Sequence, residues 1–290
     1  MARKSKLSDF LDKYWPWIAA GGVGIGAGLL AKRILNNGTL FIIPIENHGY
    51  DQTINNPNLP YLNRLAQQYA VCTSYQQRWH PSLPNYLVMT SGQTWGISDD
   101  SYHLVRSNGL DLFAQMTSSG VPWRAYAESM GRPCRTTDTE LYASRHNPAV
   151  YFDSVVNGGN CQQQVVDLSQ LPSDLASNAV RYAFITPNLQ NDWHDGSAGQ
   201  LDAWLSQWVP MIMQSPGYQR GGCIVIVADE DDSGSGRIPC VVISDRLVQA
   251  PFADSTQYDH RSLCAMAQDF LGIGRLPATQ GVNSLASMLR

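Results

Sequence analysis

The stretch that most constrains this chain is Gly222-Cys-Ile-Val-Ile-Val-Ala228, which runs directly into Asp229-Glu-Asp-Asp232. An unbroken apolar run of that length, rich in β-branched residues, reads as a strand buried on both faces. Four adjacent carboxylates repel one another unless water or a cation compensates them. The chain must therefore fold around a covered sheet and present acid at one strand end. Two readings are open for that acid. One is a solvated turn before Ser233-Gly-Ser-Gly236; the other is a hard divalent cation bound by Asp229 and Glu230.

Other segments fit the same architecture. Thr39–Ile45 is a second short apolar run, and Glu46-Asn47-His48 follows it. Val121–Tyr126, Val180–Thr186 and Ile238–Ser244 read as further strands. Helical spacing or stop signals predict helices over Pro60–Ala70, Asn85–Thr90, Leu110–Ser119, Gln200–Gln214 and Arg261–Leu271. Strands alternating with helices predict one α/β domain over 39–290, with a mostly parallel sheet covered on both faces. In open sheets of this kind, ligands sit beyond the carboxyl ends of the strands. Glu46-Asn47, Asp229-Glu230 and the polar run Thr186–Asp195 all fall at such ends.

The first 33 residues carry six basic and two acidic side chains, and every lysine lies at or before Lys32. Residues 34–290 carry 14 basic and 22 acidic side chains, a balance that argues against a nucleic-acid partner. Between Lys13 and Lys32, residues 14–31 are uncharged, with Trp15 and Trp17 at one end. A basic start before an apolar run reads as a signal anchor or signal peptide over residues 1–33, forming a hydrophobic N-terminal helix. No clean small-x-small cleavage site precedes Lys32, which favours a retained anchor. Export follows: a membrane-anchored, extracytoplasmic domain, or a secreted or periplasmic one if the segment is cleaved. An oxidising compartment permits disulfides. The six cysteines allow 15 pairings, and Cys134 with Cys161, both in irregular stretches, make the best candidate pair. Oligomeric state leaves no signal in the sequence.

His80-Pro-Ser-Leu-Pro-Asn-Tyr86 runs into an apolar helical segment. Ser82 at that position serves either as a helix cap or as a nucleophile, since a helix amino end favours an incoming anion and a metal lowers a hydroxyl pKa. Five of the six histidines, 48, 80, 146, 194 and 260, stand near these polar clusters. Imidazole suits both anion binding and protonation of a leaving group.

Taken together, Glu46-Asn-His-Gly-Tyr-Asp51, His80–Tyr86, Arg145-His-Asn-Pro148, Pro187–Asp195, Asp229–Asp232 and Asp259-His260 resemble, in order, the motifs of the bacterial and fungal phosphoesterase family. That family holds acid phosphatases and phospholipase C enzymes within the alkaline phosphatase superfamily. The resemblance spans residues 39 to 275 and implies an alkaline-phosphatase-like α/β/α sandwich. It further implies phosphate monoester hydrolysis through a phosphoserine on Ser82, with His194 or His80 protonating the leaving group. Asn85, His146, Asp195 and His260 match phosphate-lining positions, and Glu46, Asn47, Asp229 and Glu230 match metal-binding positions. Two-metal members of the superfamily carry Asp and His where this chain has Asn188 and Glu230. A single divalent ion (Ca, Mg, Mn or Zn) is the expectation, with histidines replacing part of the second ion's charge. Two other readings stay open: a phospholipase C-type phosphodiesterase, and a catalytically silent envelope binding protein.

Overall fold

The computed structural model describes residues 38–290. The expected anchor and its apolar segment 14–31 lie outside the described residues. Among the described residues, no helix is long and apolar enough to cross a membrane.

Among the described residues eight strands form one sheet: β1 (Leu40–Ile45), β2 (Ala70–Cys72), β3 (Trp123–Ala127), β4 (Val165–Asp167), β5 (Tyr182–Thr186), β6 (Cys223–Ala228), β7 (Cys240–Ile243) and β8 (Phe252–Asp254). Their order is β4-β3-β5-β1-β6-β7-β2-β8. Every pairing is parallel except those of β7, which runs against both β6 and β2. All residues of β1, β5 and β6 are buried. Successive strand residues point to opposite faces, so both faces of the centre are covered, as their continuous apolar sequences require.

The longer helices are α1 (Pro60–Gln68), α2 (Ser82–Ser91), α3 (Leu112–Ser118), α4 (Leu171–Ser177), α5 (Ala198–Gln214) and α6 (His260–Leu271). They fall into separate packed groups: α2 lies against α6 and α3, whereas α1 lies against α5. This is the expected sandwich, a mostly parallel sheet between helical layers.

Local readings differ from the structure in instructive places. Helix α1 stops at Gln68, and Ala70, expected in the helix, opens β2, because pairing with β7 and β8 outweighs the weak helical preference of three residues. Helix α2 begins at Ser82 rather than Asn85, with Pro84 in its first turn, where a missing N–H costs nothing. Strands β2, β4 and β8 are three residues each, too short to carry a period, and their partners define them. Cys134 and Cys161 form a disulfide, as expected, between segments flanking the outer strands β3 and β4.

Candidate active site

Register brings the acids together. Ile45 of β1 lies opposite Ala228 of β6, so Glu46 and Asp229 leave the sheet side by side, and Asp229 N–H donates to the Ile45 carbonyl at 3.0 Å. Glu46 and Asp229 are fully buried and Glu230 is nearly so. Asn47 sits at φ 61°, a left-handed conformation that Asn tolerates, and its N–H reaches Asp229 Oδ1 at 3.1 Å. The other carboxylate oxygen, Asp229 Oδ2, is buried without a hydrogen-bond partner.

Helix α2 aims its amino end at this pair of strand ends. Pro81 occupies the cap position, and Asp100 accepts the Leu83 N–H at 2.9 Å, so Ser82 is not the cap. Its Oγ lies 3.3 Å from Glu46 Oε2 and 3.3 Å from Glu230 Oε1, in donating geometry to either. One turn on, Asn85 gives its amide hydrogens to the carbonyls of Trp79 and Pro81 and to Glu230 Oε2, while its Oδ1 is buried and unpartnered. Tyr86 donates its hydroxyl to Glu46 Oε1. His80, whose side chain is 66% exposed, places Nδ1 2.7 Å from Glu230 Oε2.

A second wall comes from the loop after β5 and the short turn Ser144–His146. His146 lies with Nδ1 3.2 Å from Asp192 Oδ2 and Nε2 3.4 Å from Glu46 Oε1, its ring stacked on Tyr86. His194 pairs through Nδ1 with Asp195 at 2.6 Å, and its Nε2 faces the Arg145 guanidinium at 3.2 Å. Asp192 ties this wall to the first strand. Its side chain accepts the His194 N–H and its carbonyl accepts the Glu46 N–H. His260 is fully buried behind Asp229, with Nε2 2.6 Å from the Asp229 carbonyl and Nδ1 3.2 Å from the Tyr75 hydroxyl, so both its nitrogens are engaged.

Sequence reasoning passed over Asp192, Tyr86, Asp100 and Arg145 as site residues. Asp192 carried a faint signal, two residues before His194 in an acidic loop. Tyr86 and Arg145 stood within the resembling motifs without an assigned role, and Asp100 carried no signal, because its partner is the Leu83 N–H 17 residues away.

Burial, then Asp229 and Asp192, raises the Glu46 carboxyl well above the usual range. Burial and Asp229 push Glu230 up to about 9, and burial raises Asp229 itself. Asp192 rises to about 7, again mainly through burial. Burial, then Arg145, lowers His146 to about 3, so its imidazole is neutral at pH 7 and adds no charge to offset the acids. Several crowded carboxylates, a neutral imidazole and one unpartnered carboxylate oxygen form a donor set that fits a divalent cation. Among the described residues, two groups have ligand atoms within 4.8 Å of one another: Glu46, His146 and His194, and His80, Glu230 and Asp232. Ser82 is in contact with one member of each, Glu46 and Glu230.

The model of the Phosphoesterase family matches residues 45–273. Among curated relatives, a probable acid phosphatase of Kluyveromyces lactis is 27% identical over 243 residues, covering 79% of this chain and 56% of the relative. An acid phosphatase of Aspergillus fumigatus is 26% identical over 249 residues, covering 81% and 55%. A phosphatidylinositol-3-phosphatase of Mycobacterium tuberculosis is 29% identical over 217 residues, covering 74% and 71%. The chain thus spans little more than half the length of the two fungal relatives. Among solved structures, an alkaline phosphatase superfamily protein from Vibrio parahaemolyticus aligns with a TM-score of 0.60 at 13% identity, covering 85% of this chain and 69% of that one. The lipoteichoic acid synthase LtaP of Listeria monocytogenes gives 0.60 at 9%, covering 87% and 75%. At such identities the likeness is one of fold, and it agrees with the sandwich expected from sequence.

Proposed function

Because the chain belongs to the phosphoesterase family, we propose that it hydrolyses phosphate monoesters, with Ser82 as nucleophile and a divalent cation held at the ends of β1 and β6. One observation carries this reading: Ser82 Oγ sits at a helix amino end, 3.3 Å from each of two buried carboxylates. The phosphatase names of the relatives support monoesters as substrates.

Glu46, Asp229 and Glu230 would hold the cation, with Asn47 beside them and His146, His194 or His80 within reach. When bound, the ion neutralises the carboxylates, lowers the hydroxyl pKa and stabilises charge on the transferring group. Glu46 or Glu230 accepts the Ser82 proton as Oγ bonds to phosphorus and the ester oxygen leaves in line. The amino end of α2 and the Arg145 guanidinium would meet the equatorial oxygens. Of the expected phosphate-lining set, His146 lies beside them, Asp195 holds His194, and Asn85 gives its amide hydrogens to Trp79, Pro81 and Glu230. His80 stands at the exposed mouth and protonates the leaving alkoxide. His194 is less suited to that step, because its Nε2 accepts from Arg145 while its Nδ1–H is held by Asp195. His260 acts behind the site, steadying the Asp229 backbone. Water then attacks phosphorus, the Ser82–phosphorus bond breaks and Ser82 regains its proton.

The Cys134–Cys161 bond supports an exported protein, and the anchor over residues 1–33 remains part of this proposal. The test uses the full chain, stripped of metal and resupplied with Mg, Mn, Ca or Zn singly, on a chromogenic phosphate monoester and the matching diester. Metal-restored monoester turnover, lost in a folded Ser82→Ala variant, is the expected result. Near-normal turnover by that variant overturns the nucleophile assignment. A diester preference replaces the reading with a phosphodiesterase, and no turnover under any metal replaces it with a silent binding protein.

A further inference from the structure

Beyond Cys134 and Cys161, four cysteines remain as thiols, all buried: Cys72, Cys223, Cys240 and Cys264. Two of them are not independent. Strands β2 and β7 run antiparallel with Ala70 opposite Val242 and Val71 opposite Val241, so one further step sets Cys72 opposite Cys240. Directly opposed residues share one face of the sheet. Their Cα atoms stand about 4.5 or 5.5 Å apart, within the range of about 4.4–6.8 Å that disulfides span. Burial, and next the neighbouring Cys240 thiol, push the Cys72 thiol well above its usual range. Cys223, by contrast, points its thiol at the Ile224 carbonyl.

We infer that Cys72 and Cys240 are a second disulfide site, joined when the chain folds in an oxidising compartment. The oxidant is a protein of the dithiol–disulfide oxidoreductase class. Its disulfide takes two electrons and becomes a dithiol, the two cysteine thiols lose two protons, and one S–S bond forms. Both side chains are fully buried, and a protonated thiol is a poor nucleophile, so the exchange takes place before the helical layers close over the sheet. Chain made in a reducing compartment keeps the thiols even after later exposure to oxidant.

The bond would tie together the segments that build the active site. Strand β2 leads through Trp79 and His80 to Ser82, and β7 is entered from the loop that begins with Asp229 and Glu230. Because it closes a long loop, the link would constrain the unfolded chain strongly.

The test takes the full chain from an oxidising and from a reducing compartment, denatures each without reductant in excess alkylating agent, and maps the peptides by mass spectrometry. The oxidised sample is expected to show only Cys223 and Cys264 alkylated, with linked peptides for Cys134–Cys161 and Cys72–Cys240. Alkylation of all four remaining cysteines, or any other linkage among them, overturns the inference. Cys72→Ser should lower the unfolding midpoint of the oxidised protein clearly more than that of the reduced protein, where only the buried hydroxyl is felt. An equal loss in both assigns the pair to packing and overturns it as well. None of these readouts depends on turnover.

Discussion

Buried acids meet opposite fates in two parts of this molecule. Asp259, at the start of α6, is held by the guanidinium groups of Arg78 and Arg261 and by the Arg261 backbone N–H, and these partners overcome burial to hold its carboxyl below the usual range. Asp202 on α5 accepts the N–H groups of Tyr61 and Leu62, the donors that α1, without a side-chain cap of its own, would otherwise leave open. At the ends of β1 and β6 burial is as deep, yet the donors to three carboxylates are the Asn47 N–H, the Ser82 and Tyr86 hydroxyls, the Asn85 amide and the exposed His80 ring, none of them a guanidinium. Glu46, Asp229 and Glu230 are consequently pushed up rather than down. Burial is common to both places, and matched donors decide the difference. The cluster left short of donors is where the proposed cation would sit.

The largest expected effect breaks the cluster at its centre. Ser82→Ala should reduce kcat by roughly 10⁴-fold or more with an unchanged unfolding midpoint. His80→Ala should cost about 10²-fold on an alkyl phosphate and clearly less on a nitrophenyl phosphate, whose leaving group needs no proton. Equal losses on both substrates would remove His80 from the leaving-group step.

Stability measurements sharpen the contrast. A divalent cation at a hundred times its Kd should stabilise the wild-type protein by about 2.7 kcal/mol, seen as a raised unfolding midpoint. Asp229→Asn should abolish most of that gain while leaving the metal-free protein no less stable, because it removes a buried charge one of whose oxygens lacks a partner. Asp259→Asn should instead cost about 1.5–3 kcal/mol with or without the ion, since it breaks charge-assisted hydrogen bonds. If both variants respond alike, the distinction between satisfied and reserved acids fails.

The smallest effect is one of pH. Asp259 has a lowered folded pKa. Its contribution is therefore full above the unfolded value of about 3.9 and is lost as pH falls through the lower folded one. Denaturant titrations of wild type and Asp259→Asn should converge across that acid window. A gap that persists below it would assign the loss to packing.

Much of the architecture was legible in short stretches. The apolar run ending at Ala228, the one ending at Ile45 and the acids after each announced a covered sheet with a polar end, because hydrophobic runs and strand-end polarity are properties of a few consecutive residues. Cys134 with Cys161 was legible for the same reason, as two cysteines in irregular segments. Strands β2, β4 and β8 were not, since three residues carry no period and take their conformation from neighbours.

At the site, the sequence alone determined which chemical groups stand at strand and helix ends: Glu46, Ser82, Asp229, Glu230 and the histidines nearby. Only the tertiary structure decided how they face one another. It turned Ser82 away from capping and toward two carboxylates, set His260 behind Asp229, and brought in Asp192, Tyr86 and Asp100 as partners. The physical reason is separation. Caps and periodicity act over a turn or two of chain, whereas contacts such as Ser82 with Glu230 span 148 residues and exist only because strand order and register carry both ends to one place.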